Sequence, residues 1–219
     1  MTTMTPAAAR AFWLALLDNA ARIVVEADML FPSPRAQSLV VLAQEEVGKA
    51  VWVYKAFWSA WNAGDETPSE VPELRQHARR HIPKLMQATD FTTGMMEVPD
   101  GTGASSSSTG FSSSGPVEVE VVREYAPEFL VAYAQKLAHE DDQAKQKGFY
   151  VDLDDDGTFT VPHEIDRPLL RSQIWEAADM VQCCLDEDGF GASVHCQPRP
   201  PTEEVAALIR AVLARGPDG

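Results

Sequence analysis

The feature that most constrains the fold is a long amphipathic pattern near the start of the chain. From Phe12 to Phe31 the apolar residues recur every three or four positions, which is the spacing of one helix face. Pro32-Ser33-Pro34 ends this pattern, and a second apolar stripe runs from Leu39 to Trp61. Because only a few residues join the two predicted helices, we expect them to pack as an antiparallel hairpin.

The rest of the chain predicts more helices and one small hairpin. Helical patterns continue over 69–89, with an interruption at Pro83, and then over the stretches 117–148, 167–187 and 202–214. Alternating residues on both sides of Asp156-Gly157 predict a β-hairpin over 149–161. Residues 94–116 are rich in Gly and Ser and predict a flexible loop. We therefore expect one all-α domain over 1–219, an antiparallel helical bundle with a β-hairpin appendage.

The composition is that of a globular protein with 45% hydrophobic and 23% charged residues. No run of apolar residues approaches the eighteen needed to span a bilayer, and Met1 to Arg10 does not resemble a secretory signal. Cys183, Cys184 and Cys196 cannot all pair within one chain. Their spacing, with His195 beside Cys196, matches no zinc module. We expect a cytoplasmic protein with reduced thiols, no metal, no other cofactor and no membrane contact.

The charge distribution restricts where a nucleic acid could bind. A net charge of −15 argues against a general polyanion binder, because such binding depends on Lys and Arg. The local basic concentration comprises Arg75, His77, Arg79, Arg80, His81 and Lys84. Asp152, Asp154 and Asp156 match the first half of a calcium-binding loop, but His163 stands where the bidentate Glu is required. We interpret this acidic cluster as a solvated hairpin tip.

Charged residues interrupt the apolar stripe of the second predicted helix. Continuing that stripe places Glu46 and Lys49 on or beside the buried face, where an unpaired carboxylate is costly. The plainer alternative is a solvated pair between Glu45 and Lys49, four residues apart. Gly48 costs about 0.5–1 kcal/mol relative to Ala inside a helix, which indicates that something large packs against the backbone there. We expect Glu46 and Lys49 to contact the segment around His81 from a facing helix.

His81 is the candidate partner of this charged face. It follows Leu74 and Ala78 at helical spacing, which places it on the inward side, although a core histidine is the plainer alternative. Pro83 lacks a backbone N–H and disfavours a helical conformation at Ile82. The backbone near His81 should therefore kink or restart as a new helix, and such a break can direct the histidine into a groove.

Three segments in the same order resemble one known family: Ala43-Gln-Glu-Glu-Val-Gly-Lys49, His81-Ile-Pro-Lys84-Leu, and Gln146-Lys-Gly-Phe-Tyr-Val-Asp152. They are similar to the AbiV-type abortive infection proteins of the HEPN superfamily, over roughly 14–187. The resemblance implies an HEPN-like helical bundle and a role in bacterial defence against phage. Many HEPN proteins are metal-independent ribonucleases with an Arg-x(4–6)-His motif, often completed across a homodimer.

On this chain the motif corresponds to Arg75 and His81, and the resemblance implies a ribonuclease toxin. His81 would move a proton to or from the RNA, an arginine would hold the phosphate, and Lys84 completes the candidate catalytic set. The candidate supporting residues are Glu45, Glu46, Lys49, His77, Arg79, Arg80 and Tyr150. The alternative is a non-catalytic helical module that recognises a phage or antitoxin protein through the same groove.

The sequence also predicts association between copies of the chain. The aromatic residues of the first two helices exceed what one face of a small bundle needs, namely Trp13, Trp52, Trp58 and Trp61. We therefore expect a homodimer.

Overall fold

Two long helices form the centre of the fold. The computed structural model describes residues 3–77, 79–92, 136, 139–140, 145, 152–153, 158–160, 166–195 and 202–218. Helix α1 spans Pro6–Leu30 and helix α2 spans Pro34–Ala63. Each begins with a proline, where the missing N–H has no helical partner to lose, and each follows a hydroxyl N-cap. The expected all-α bundle is confirmed.

The antiparallel hairpin of α1 and α2 also agrees with its prediction. Trp61, in the last turn of α2, donates its indole N–H to the carbonyl of Pro6 at the start of α1, at 2.9 Å. The end of one helix therefore lies beside the beginning of the other. Gly64 ends α2 in the left-handed conformation, with φ of 67°, which glycine adopts without steric cost.

The predicted helix over 69–89 is two separate helices. Helix α3 spans Pro72–His77, and helix α4 spans His81–Thr92. The break precedes His81, so the expected restart of the helix there is confirmed, whereas the expected interruption at Pro83 is wrong. Pro83 is the third residue of α4, and backbone N–H groups in the first turn have no helical acceptor, so the ring is tolerated.

Two short antiparallel ribbons accompany the helices. Strand β1 (Thr3–Met4) pairs with β2 (Ser69–Glu70), which was not predicted. Strand β3 (Asp152–Leu153) pairs with β4 (Phe159–Thr160), as expected for the hairpin over 149–161. The loop over 94–116 and most of the helical stretch over 117–148 lie outside the described residues.

The last two helices complete a shared core with α1 and α2. Helix α5 spans Arg167–His195, eight residues beyond its predicted end, and helix α6 spans Glu203–Leu213. Buried side chains from α1, α2, α5 and α6 form one hydrophobic cluster, whose largest members include Trp13, Phe57, Leu17, Leu170, Ile174 and Ile209. This burial stabilises the scaffold on which α4 packs.

A buried ion pair joins α1 to α5. Both terminal nitrogens of Arg10 donate to the Asp188 carboxylate, each at 2.5 Å, and both side chains are less than a tenth exposed. The Arg10 guanidinium also lies 4.4 Å from the centre of the Trp13 ring and 5.1 Å from that of Trp61. The aromatic rings and the carboxylate together compensate for the loss of water around this charge.

The four tryptophans from which a homodimer was predicted pack within a single chain. Trp13 is fully buried and Trp52 is 5% exposed within a single chain, while Trp58 and Trp61 pack partly buried against the same core. The tryptophans therefore pack in the core of one chain and do not indicate a surface between copies. The homodimer stays a prediction. Within the described part of the chain, no helix is long and apolar enough to cross a membrane.

Candidate functional site

The carboxylate of Glu45, on α2, is the centre of the candidate site. Its Oε2 atom accepts a hydrogen bond from Nζ of Lys84 at 2.6 Å. Its Oε1 atom lies 2.8 Å from Nζ of Lys145 and 2.7 Å from Nδ1 of His81. The Glu45 side chain is only 5% exposed, so these three partners replace the water that the carboxylate has lost.

A close approach of two helices brings α4 to Glu45. A Cβ atom at Gly48 would lie 2.0 Å from the carbonyl oxygen of Lys84, so only glycine permits this separation. The expectation that something large packs against the backbone at Gly48 is confirmed, and the object is the α4 backbone. His81 and Lys84, three residues apart, share one face of α4, so both reach the same carboxylate.

A second anchor on α2 places Lys145. The hydroxyl of Ser38 is fully buried and donates to the backbone carbonyl of Lys145 at 2.7 Å. Ser38 and Glu45 are seven residues apart, two helical turns, and therefore lie on the same face of α2. Ser38 therefore binds the backbone of Lys145, and Glu45 binds its side chain.

The surroundings of Glu45 keep it ionised. Burial acts to raise the pKa of Glu45, but hydrogen bonds from Lys145, Lys84 and His81 outweigh that effect and lower it from its ordinary value to about 2. At neutral pH the carboxylate can therefore only accept hydrogen bonds. The short contact with His81 then requires a proton on Nδ1.

His81 connects this buried carboxylate to solvent. Its side chain is 43% exposed, whereas those of Glu45, Lys84 and Lys145 are between 5% and 14% exposed. With the Nδ1 proton directed at Glu45, a neutral imidazole carries its lone pair on Nε2. A carboxylate that orients a partly exposed imidazole in this way is suited to general base or general acid chemistry.

Glu46 and Lys49 pair with each other, and their expected contact with the segment around His81 stays a prediction. Nζ of Lys49 donates to Glu46 at 2.5 Å, and both side chains are about one fifth exposed. Glu45 takes the position expected of Glu46 and contacts His81. The alternative of a solvated pair between Glu45 and Lys49 is wrong, since Glu45 is buried and contacts His81 and Lys84 of α4.

Among the described residues, the basic residues that precede His81 in the chain take no part in the contacts of Glu45. Arg75, in α3, and Arg79 and Arg80, in the connection to α4, are exposed, and among described residues none of them makes an ion pair. His77 is half-buried with its ring centre 6.3 Å from that of Trp52, so it does not share the Glu45 cluster. The candidate supporting residue Tyr150 lies outside the described residues.

The comparison with protein families decides the assignment. A family model described as AbiV, of the HEPN type, matches residues 8–182. The chain belongs to the AbiV family of HEPN proteins. This membership makes it a HEPN-type protein of bacterial abortive infection. Neither the curated proteins nor the solved structures gave a match.

The matched region of this AbiV-family chain contains the whole Glu45 cluster, including Lys145. Lys145 was not predicted as a site residue, since it lies in the predicted helical stretch over 117–148 among other charged residues. The one signal that pointed to it is the cost of burying a glutamate, since a carboxylate out of water needs several donors. Among the described residues, no group of three His, Cys, Asp or Glu side chains is arranged to hold a metal ion.

Proposed function

We propose that this AbiV-family protein is a metal-independent endoribonuclease that acts as a homodimer in the cytoplasm of phage-infected bacteria. The observation that carries the proposal is the contact of 2.7 Å between the buried Glu45 carboxylate and Nδ1 of the partly exposed His81. This contact leaves Nε2 as the atom that exchanges a proton with substrate. A general base of this kind contributes about 10²–10⁴-fold to a rate.

The reaction begins when Nε2 of His81 takes the proton of a ribose 2′-OH. The 2′-oxygen then forms a bond to the adjacent phosphorus, and the bond from phosphorus to the 5′-oxygen breaks. The protonated ring of His81 then gives this proton to the leaving 5′-oxygen, so the products are a 2′,3′-cyclic phosphate and a 5′-hydroxyl. Exposed arginines next to His81 supply charge for the phosphate, with Arg79 and Arg80 adjacent in the chain and Arg75 in α3.

In this proposal Lys84 does not act on the RNA, although the sequence placed it in the candidate catalytic set. Its side chain is 6% exposed and its Nζ atom donates to Glu45 at 2.6 Å. A lysine held in this way stabilises the ionised carboxylate, and the carboxylate in turn orients His81. Lys84 is therefore a positioning residue in this proposal, and the phosphate is held by the exposed arginines.

The test is RNA cleavage by the purified full chain in EDTA. Single-stranded and structured RNA should both be tried, and the 3′ ends should be analysed for the cyclic phosphate. His81→Gln should lose at least about 100-fold in rate. His139→Gln is the matched control, because His139 is an exposed histidine in a helical segment, and it should retain the full rate. Intact RNA at high wild-type protein concentration would contradict the proposal.

The net charge of −15 favours a second candidate, a non-catalytic module that binds a phage or antitoxin protein. In this case RNA would stay intact, and His81→Gln would still abolish protection of cells against phage. The two candidates therefore differ in the RNA assay and agree in the protection assay, so both assays are needed on the same variants.

A further inference from the structure

The ammonium group of Lys145 lies against both partners of the proposed catalytic pair. Its Nζ atom is 2.8 Å from Oε1 of Glu45, 2.9 Å from Nδ1 of His81 and 3.5 Å from Nε2 of His81. The Lys145 side chain is 14% exposed, and its backbone carbonyl accepts the bond from Ser38. Lys145 is thus fixed at both ends rather than being a loose surface lysine.

The proton on Nδ1 of His81 decides which of these contacts is a hydrogen bond. A lysine ammonium has three donors and no acceptor, and ionised Glu45 has acceptors only. Nδ1 therefore cannot donate to Glu45 and accept from Lys145 at the same time. If Lys145 donated a hydrogen bond to the lone pair of Nδ1, Nδ1 would face the Glu45 carboxylate at 2.7 Å with no proton between them. The favourable arrangement has both Lys145 and His81 donating to Oε1 of Glu45.

We propose that Lys145 is a positioning residue that keeps His81 neutral, with the ring proton on Nδ1 and the lone pair on Nε2. The effect of Lys145 on RNA cleavage rests on the proposed ribonuclease function, since only the neutral ring of His81 can take the 2′-OH proton. A fixed positive charge 3.5 Å from Nε2 opposes a second proton on the ring. By sharing Oε1, Lys145 also reduces the attraction of Glu45 for a fully charged imidazolium.

The charged groups that face His81 act in opposite directions. Glu45, from α2, favours the protonated ring, whereas Lys145 opposes it. Lys84, on the same helix as His81, acts through the other oxygen of Glu45. Arg79 and Arg80 precede His81 as exposed side chains, and their charges are weakened by solvent and salt. Among the described residues, Lys145 is therefore the cation in direct contact with the ring, and its removal should change the protonation of the ring most directly.

Histidine ring ¹⁵N NMR of the full chain tests the proposal without RNA. The wild-type ring of His81 should show the tautomer with the proton on Nδ1 above its titration midpoint. Lys145→Met should move that midpoint about one pH unit higher, because the opposing charge is gone. Lys145→Arg should restore the wild-type midpoint. Lys136→Met is the matched control, since Lys136 is 71% exposed and pairs only loosely with Glu140 at 3.7 Å, and it should change nothing.

The opposite tautomer in the wild type would overturn the proposal, as would a folded Lys145→Met protein that titrates like the wild type. Lys145→Gln provides a second neutral variant if the Met variant does not fold, and circular dichroism establishes folding for each. In the RNA assay, Lys145→Met should lose more rate at pH 6 than at pH 8. A shifted midpoint together with intact RNA in the wild type would support the role of Lys145 and contradict the ribonuclease function. The two proposals therefore fail separately.

Discussion

Replacing Gly48 by Ala should displace the helix that carries His81. The added Cβ would lie 2.0 Å from the carbonyl oxygen of Lys84, 2.7 Å from its carbonyl carbon and 3.0 Å from its Cα. All three are backbone atoms, so no change of rotamer relieves the overlap. Ordinary contact begins near 3.4 Å, so α4 would have to move by 3.4 minus 2.0, or about 1.4 Å.

The size of the effect follows from two opposing terms. Overpacking a tight contact costs about 1–3 kcal/mol, and an overlap with backbone belongs at the upper end of that range. Ala gains about 1 kcal/mol over Gly inside a helix. The net loss is about 2 kcal/mol, which lowers Tm by about 4–8 °C for a chain of this length. Gly189→Ala is the matched control, because Gly189 lies in α5 with nothing within 4 Å of an added Cβ.

Thermal unfolding followed by circular dichroism measures both variants. Gly189→Ala should melt at or slightly above the wild-type temperature, because it gains helix propensity without a clash. Gly48→Ala should melt lower and should also cleave RNA more slowly, since the shift of α4 lengthens the contacts of Glu45 with His81 and Lys84. If Gly48→Ala melted as high as Gly189→Ala, the close approach of α2 and α4 would be refuted.

Three further predictions concern the charged interior and the assembly. Glu45→Gln should lower the free energy of unfolding, measured in urea, by about 3–5 kcal/mol, because it removes one partner of a buried ion cluster. Glu46→Gln should lower it by less than about 1 kcal/mol. Asp188→Asn should likewise lower the free energy of unfolding by about 3–5 kcal/mol, because it leaves the buried charge of Arg10 without its carboxylate. Asp18→Asn, in an exposed pair with Arg22, should change the free energy of unfolding little. Light scattering at micromolar concentration should give twice the chain mass of 24.0 kDa, and a species of 24.0 kDa would contradict the homodimer.

The helices could be predicted because their apolar spacing is long and regular, but the choice between Glu45 and Glu46 could not. Adjacent residues on a helix differ by about 100° in direction, and the apolar stripe of a buried helix is at least that wide. Both glutamates therefore lie at the margins of the stripe of α2. The deciding fact is which margin faces α4, and that depends on the contact between Gly48 and Lys84.

Long-range contacts account for most of what the sequence did not predict. Lys145 reaches Glu45 across 100 residues and is held by a hydrogen bond to Ser38 across 107. Nothing in the local pattern of a charged helix end distinguishes such a lysine from a solvated one. Strands β1 and β2 are two residues long, too short for an alternating pattern to appear. The close packing at Gly48, by contrast, could be predicted, because a glycine inside a helix is costly wherever it occurs.

The lowered pKa of Glu45 makes the stability of this protein depend on pH in a defined window. The ordinary value of 4.5 falls to about 2 in the folded chain. A depressed folded pKa contributes stability that is fully present above pH 4.5 and is lost as the pH falls toward 2. The difference of roughly 2.5 pH units corresponds to about 3 kcal/mol, and the side chain is too buried for solvent to reduce this much.

Comparing the wild type with Glu45→Gln isolates this contribution. Burial raises the pKa of Asp179 and Glu187, which changes stability with pH in the opposite direction, but both groups are present in the two proteins and cancel in the comparison. Urea unfolding from pH 6 to pH 3 should therefore show the stability advantage of the wild type shrinking below pH 4.5. An advantage that stayed constant over this range would mean that the carboxylate of Glu45 is not held ionised by Lys84, Lys145 and His81.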